Sequence, residues 1–478
     1  MNQKILNSAR IFMLLAMPFM VFFSYYPMLN FGQSHGMHFE ISLLQTYLVL
    51  FVLINLPAIW QIRQQLIKNK TVWLIFAFCS LNTISLLWTA NLIKGLLILA
   101  VIWLLFACFL SFLSYKNLKK LFPTLFKNLI IASCIMSVFA LFQIFAEIIN
   151  LPPSISLLCD GCRTSQFGFA RVTGFAIEPQ FFGSLLLIPI LLLLHKFINQ
   201  KTNYKLNLTL IFLLVTLFLT LSRGAIYALA IGIIVLLIIN WKNLKKIFLS
   251  LTIIFGSFLL SLTIQGVSAE INPNINDGFY PAISRTIHQL SLGLIDIRSN
   301  PLSSSKEAVE EGRAAPLLPA EREERDPIRD GYVAESTDIR NHLSRLALEA
   351  WAKTPTNIIF GTGTGSTGFV LNHYFPDQIG DTEITQNQYT ETLLENGLIG
   401  FALFAALIFL LFKSSHKHKF LWAILSAFLI QWFFFSGYPN ALHIYLFLLL
   451  FGALTSRDAY ASIKAEYFHE KQKKSKKP

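Results

Sequence analysis

The chain has 478 residues, of which 54% are hydrophobic and only 14% charged, and its mean hydropathy is +0.56. Soluble domains carry ~25% charged residues, so this composition excludes a string of soluble domains, a disordered chain and a coiled coil, and 5 Cys exclude a disulfide scaffold. A formal net charge of +13 would raise nucleic acid as a partner of a soluble protein, so the placement of the charges decides what it means.

A hydrocarbon core of ~30 Å takes about 20 apolar residues as a helix. About twelve stretches fit that ruler: 9–29, 41–61, 72–88, 92–114, 124–147, 178–198, 207–221, 224–240, 248–266, 397–412, 420–436 and 441–455. The first lacks a small-residue cleavage site and is followed at once by the second, so it reads as a retained span and not a signal peptide. The predicted fold is an all-α polytopic membrane protein. Spans 1–9 occupy 1–266, a large and mostly helical loop 267–396, spans 10–12 397–455, and a basic tail 456–478.

Alternate loops hold 25 of the 39 basic residues, from Lys4 and Arg10 to Lys477. Lys and Arg favour the cytoplasmic side, so both termini are expected inside a bacterial inner membrane. The 267–396 loop, with 10 basic and 19 acidic residues, faces out. Its Ser303–Asp330 stretch is rich in Glu, Arg, Pro and Ala without an apolar period and reads as a weakly ordered insert.

Cys79, Cys108 and Cys134 fall inside spans as small apolar residues. Cys159 and Cys162 lie in an outward loop, as a short disulfide or a redox-active pair. Zinc needs about four ligands and no second pair exists, so no metal is expected. Next, Arg171 opens the run Arg-Val-Thr-Gly-Phe-Ala-Ile-Glu-Pro-Gln-Phe-Phe-Gly. Pro179 suits a first helical turn and places Glu178 at a helix N-terminus. Arg223 follows in Ser-Arg-Gly-Ala between the seventh and eighth spans. Two arginines at one membrane face suit a diphosphate, because guanidinium binds phosphate oxygens in pairs. The alternatives are interfacial anchoring and an Arg171–Glu178 pair.

In the long loop, Ile339, Leu343, Leu346, Leu348 and Trp351 mark an amphipathic helix ended before Pro355, from which Arg340, His342 and Arg345 project. Gly361–Ser366 reads as a Gly-rich turn or an anion cradle without the Lys of a P-loop. From Gln386 a polar helix runs into the tenth span, with Gln386, Thr390, Leu393 and Gly397 sharing a face.

Four stretches together resemble the superfamily of O-antigen ligases and O-antigen polymerases: Arg171–Gly183, Ser222–Ala225, Arg340–Gly365 and Gln386–Gly400, the last ending in Glu-Asn-Gly-Leu-Ile-Gly. The resemblance implies a glycosyltransferase with a glycan donor on undecaprenyl diphosphate and inverting transfer without metal, nucleotide or other cofactor. It implies that Arg171, Arg223, Arg340 and Arg345 hold the diphosphate. The acceptor would be another lipid-linked repeat or lipid A-core. Other expected partners are the bilayer and a chain-length regulator or flippase, with no nucleic acid.

One position departs from the ligase pattern, which has a His just before the Asn of the last motif. Here it is Gln386, which cannot act as a general base. Gln386, Glu391, His342 and Glu178 are the candidate catalytic residues, with Glu383 and Asp338 as further candidate bases. The departure favours a polymerase over a ligase or a protein-glycosylating transferase. The rivals are a twelve-span transporter, although two similar halves are not evident, and a non-catalytic assembly component.

Overall fold

The computed structural model describes residues 3–23, 28–34, 37–159, 162–163, 169–200, 204–272, 279–291, 332–376, 378–380, 383–436 and 441–456. The insert at Ser303–Asp330 and the tail from Arg457 lie outside them.

The apolar stretches all carry helices. In chain order they are α1 (Gln3–Val21), α2 (Leu43–Gln61), the short α3 (Arg63–Ile67), α4 (Lys70–Ser85), α5 (Leu92–Leu113), α6 (Leu118–Ile148), the short α7 (Pro153–Ser156), α8 (Pro179–Asn199), α9 (Tyr204–Leu219), α10 (Arg223–Ile239) and α11 (Leu244–Ile271). The long loop contributes α12 (Phe279–Leu290), α13 (Tyr332–Trp351), α14 (Pro355–Phe360) and α15 (Thr367–Tyr374). Then come α16 (Gln388–Ser414), α17 (Phe420–Gln431) and α18 (Leu442–Ser456). Among the described residues, seven helices are long and apolar enough to cross a membrane, namely α1, α2, α5, α6, α8, α11 and α16. Shorter apolar helices are α4, α9, α10, α17 and α18. The chain is a multi-pass membrane protein.

α8 is the centre of the bundle and is buried without a break from Phe181 to Leu194. Small residues let its neighbours approach, as is usual where lipid offers no hydrophobic drive between helices. Gly183 lies against Ala225 of α10, and Gly232 lies against Leu191 and the Ala423 carbonyl of α17. At the periphery, α11 exposes Phe248, Phe255, Leu259 and Leu260. In water that face would be an aggregation patch; against lipid tails it costs nothing. At one end of the bundle, Arg10 ties three helices together. Its Nε donates to Asn55 at 2.8 Å and its Nη2 to the Ser114 hydroxyl at 2.7 Å, while the Tyr115 hydroxyl donates to the Arg10 carbonyl at 2.7 Å. Burial pushes the Tyr115 phenol up to about 12, so it stays a neutral donor at any working pH.

The structure departs from expectation in three places. The segment between the first two spans adds a small ribbon to the otherwise helical chain: Met28–Ser34 and Met37–Ser42 pair as an antiparallel hairpin with an irregularity between Asn30 and Gln33. Cross-strand bonds satisfy a backbone that emerges between two helices, and Ser42 then enters α2 through a capping box with Gln45. Leu348 is 42% exposed and does not join the apolar face of α13; Leu343, Leu346, Ala347 and Ala350 form that face, packed on Val370, Leu371, Ile379 and Leu394. The polar segment at 386 does not run straight into the tenth span. α16 breaks at Gly397, where φ is 61° and ψ is −167°. Gln386 precedes the helix at φ 52° and therefore does not share a face with Thr390, Leu393 and Gly397.

The break has a cause. Gly361, also at positive φ, crosses α16 so closely that a Cβ on either glycine would collide with the backbone of the other segment. The Gly361–Ser366 loop is bound internally and behaves as a turn. The N–H of Thr362 donates to Leu394 O at 2.8 Å and that of Gly363 to Glu395 O at 2.9 Å. Thr364 docks on α4 through Ser85 and Asn82.

Candidate functional site

Arg223 is placed by a tight turn. Leu221 sits at φ 49°, a left-handed conformation unusual for a residue with a bulky side chain. Ser222 then caps α10, its hydroxyl accepting the Ala225 N–H at 3.3 Å, so Arg223 occupies the first helical position. Its side chain is buried and acts electrostatically on Tyr227 one turn on. The Tyr227 hydroxyl donates to the Leu290 carbonyl of α12 at 2.8 Å.

Arg171 reaches the same turn from another part of the chain. Its Nε donates to the Thr220 carbonyl at 3.4 Å, three residues before Arg223. Its backbone N–H donates to the Cys162 carbonyl at 2.9 Å. Cys162 is disulfide-bonded to Cys159, so the short disulfide reading of this pair holds and the bridge lies in the support of Arg171. Glu178 is the exposed N-cap position of α8 with Pro179 in the first turn, and its carboxylate accepts from the Gln180 amide.

The second cluster lies on the long-loop helices and the start of α16. Arg340 Nε donates to Gln386 Oε1 at 3.0 Å. His342 Nε2 is 3.0 Å from Gln378 Oε1. Arg345 points away: it is exposed and pairs with Glu349 one turn along α13 at 3.1 Å. Glu383 is half-buried and Asp338 exposed. Asn387 caps α16 by accepting the Tyr389 and Thr390 N–H groups. One turn in, Glu391 is buried and accepts from the Thr385 hydroxyl at 3.4 Å and from Ser436. Glu395, a turn further and also buried, accepts from Thr367 Oγ1 at 2.7 Å, the Thr367 N–H at 3.3 Å and the Gly365 N–H. The Gly-rich loop thus does hold an acidic group, and that group is the carboxyl of Glu395. Among the described residues, Lys94 acts electrostatically on both glutamates.

The turn after α17 joins the two clusters. Gln431 and Phe434 cover Gly224, next to Arg223. Phe435 meets Phe181 at the start of α8, with ring centroids 5.2 Å apart. The Trp432 carbonyl accepts the Gln388 N–H at 2.9 Å, and Ser436 meets Glu391 and Thr385. Arg171, Arg223 and Glu178 on one side, and Arg340, Gln386 and Glu391 on the other, therefore gather at one end of the bundle around residues 431–436. On α13, His342 instead meets Gln378, and Arg345 pairs with Glu349.

Sequence reasoning did not single out Thr385, Ser436 or the 431–436 turn. The signal was the polar, turn-forming run from Ser436 to Asn440 between two apolar helices. Among the described residues, no three His, Cys, Asp or Glu side chains gather as metal ligands would.

The cluster can do two things chemically. Guanidinium groups can neutralise an anion that develops negative charge, and a buried carboxylate can accept a proton from a hydroxyl brought to it. In comparison with known proteins, residues 208–405 match a family model described as O-antigen ligase. The matched region includes Arg223, the long-loop helices and the Glu395–Gly400 motif; Arg171 and Glu178 precede it. No curated protein matches the chain.

Proposed function

We propose that this chain, which belongs to the O-antigen ligase and polymerase superfamily through residues 208–405, polymerises undecaprenyl-diphosphate-linked oligosaccharide repeats at the outer face of the bacterial inner membrane. The observation that carries this reading is the meeting of Arg171 with the Thr220–Arg223 turn. It supplies two guanidinium-bearing residues from distant parts of the chain to one end of a membrane bundle.

In the proposed reaction the acceptor sugar hydroxyl attacks the anomeric carbon of the donor. A new glycosidic C–O bond forms, the anomeric carbon–oxygen bond to the diphosphate breaks, and the lipid diphosphate leaves with the electron pair. Configuration inverts. Arg171 and Arg223 stabilise the diphosphate as its charge grows, with Arg340 nearby. Glu391 takes the hydroxyl proton. It is the best supported of the candidate bases because it is buried, hydrogen-bonded by Thr385 and Ser436, and beside the turn that covers Gly224, the residue after Arg223. Gln386 serves as the neutral partner that orients Arg340. Glu178 is exposed, His342 is held by Gln378, and Arg345 is exposed and paired with Glu349, so no step is assigned to them.

The ligase reading differs only in the acceptor. Gln386 in place of the ligase His favours the polymerase, and the family match fits either. A deletion strain separates them on a gel of surface glycan. Single repeats attached to the core are expected. Loss of all attached glycan with lipid-linked polymer accumulating would convert the assignment to ligase, and an unchanged pattern would refute both.

A further inference from the structure

The segment that carries Arg171 has no regular structure: residues 169–178 form no helix or strand. An irregular strap between apolar helices leaves backbone groups that need partners, since lipid supplies none. One side chain satisfies three of them, the Thr173 N–H and both backbone groups of Gly174. Gln143 lies in α6 and is 0% exposed. Its Oε1 accepts two successive backbone N–H groups, those of Thr173 and Gly174, each at 2.9 Å. Its Nε2 donates to the Ser156 carbonyl at 2.9 Å and to Thr173 Oγ1 and the Gly174 carbonyl at 3.0 Å. An amide has two donors and one two-lone-pair acceptor, and here all of that capacity is used on a single strap and the short helix beside it.

Gly174 turns at φ 59°, with Phe182 of α8 directly against it. The strap is therefore pinned at Thr173–Gly174, two residues after Arg171, while Cys162 holds the Arg171 N–H and Thr220 receives its guanidinium. A Gln buried in an apolar part of a helix is tolerated when its amide is fully hydrogen-bonded, as it is here, and no part of the proposed chemistry uses it directly.

We propose that Gln143 is a positioning residue for glycan transfer: its buried amide fixes the Arg171 strap so that the guanidinium reaches the Thr220–Arg223 turn. The inference rests on the reading of Arg171 as a diphosphate ligand. Gln143 touches no substrate and acts only through Arg171.

The test is a double-mutant cycle on the full-length protein in liposomes, with a polyprenyl-diphosphate-linked repeat as the probe and donor KM and kcat as readouts. Arg171→Ala and Gln143→Leu are each expected to lower donor kcat/KM at least tenfold. Gln143→Leu added to Arg171→Ala is expected to change it less than twofold further, because the strap then carries nothing to position. Gln143→Glu keeps both acceptor contacts to the Thr173 and Gly174 N–H groups and should recover part of the loss. It also carries the cycle if Gln143→Leu does not accumulate in membranes. Losses that multiply in the double mutant, or a Gln143 variant with unchanged kcat/KM while Arg171→Ala is impaired, would overturn the positioning role alone. Full activity of Arg171→Ala would overturn the diphosphate reading and this inference together.

Discussion

Arg223 is expected to be irreplaceable: Arg223→Ala should lower turnover by about 10²–10³-fold, the cost of removing one preorganised group that stabilises developing charge. Arg223→Lys should recover little of it, because an ammonium cannot offer the paired donors of a guanidinium; full recovery would mean that charge alone suffices. Glu391→Gln should cost about 10²–10⁴-fold if the carboxylate is the general base, and a Glu391→Gln enzyme turning over at the wild-type rate would pass that role elsewhere. The arginines were legible because a cation beside an apolar run is conspicuous. Glu391 was legible only as one candidate among several, since its burial and its contacts with Thr385 and Ser436 depend on a turn more than forty residues away. Gln143 was not legible at all: one polar residue inside a span has no spacing to betray it.

At the scale of elements, hydropathy located the helices but not their breaks. The α16 stretch reads as a continuous polar-to-apolar helix, yet Gly397 interrupts it. The reason is a long-range crossing with Gly361, and both glycines adopt backbone angles that only glycine holds readily. Gly397→Ala should therefore destabilise the protein by about 1–3 kcal/mol or more, seen as a lower midpoint in thermal unfolding in detergent with loss of transfer activity. An unchanged midpoint would show that the crossing can relax. The Gly-rich loop was ambiguous between a turn and an anion cradle, and the structure gives a reason: the N–H groups of its Gly365 and of Thr367, which follows the loop, do meet a carboxyl group, but it is that of Glu395 in the same chain. The hairpin escaped because its first strand, Met28–Ser34, overlaps the end of the apolar run 9–29, and an irregularity between Asn30 and Gln33 breaks its register. The Cys159–Cys162 bridge sits directly behind Arg171. Replacing both cysteines with Ser should raise donor KM more than it lowers kcat, and equal kinetics would free the bridge from any part in donor binding.

For the whole molecule, composition and charge distribution were the most informative features. The low charged fraction marks the apolar helices, and the basic residues concentrate in alternate loops. That asymmetry predicts that a cysteine placed near Lys68 is labelled only from the cytoplasm, and one near Lys353 only from outside; reversed labelling would invert the topology and remove the site from its proposed compartment. The central claim is more specific: two arginines gathered at one end of a membrane bundle hold a lipid diphosphate while a glycan leaves it. The most direct test supplies the purified protein in liposomes with one polyprenyl-diphosphate-linked repeat and no other acceptor. A ladder of lengthened lipid-linked glycans is expected from the native protein and none from Arg223→Ala. A ladder of equal yield from Arg223→Ala, or no ladder from the native protein, would contradict the claim.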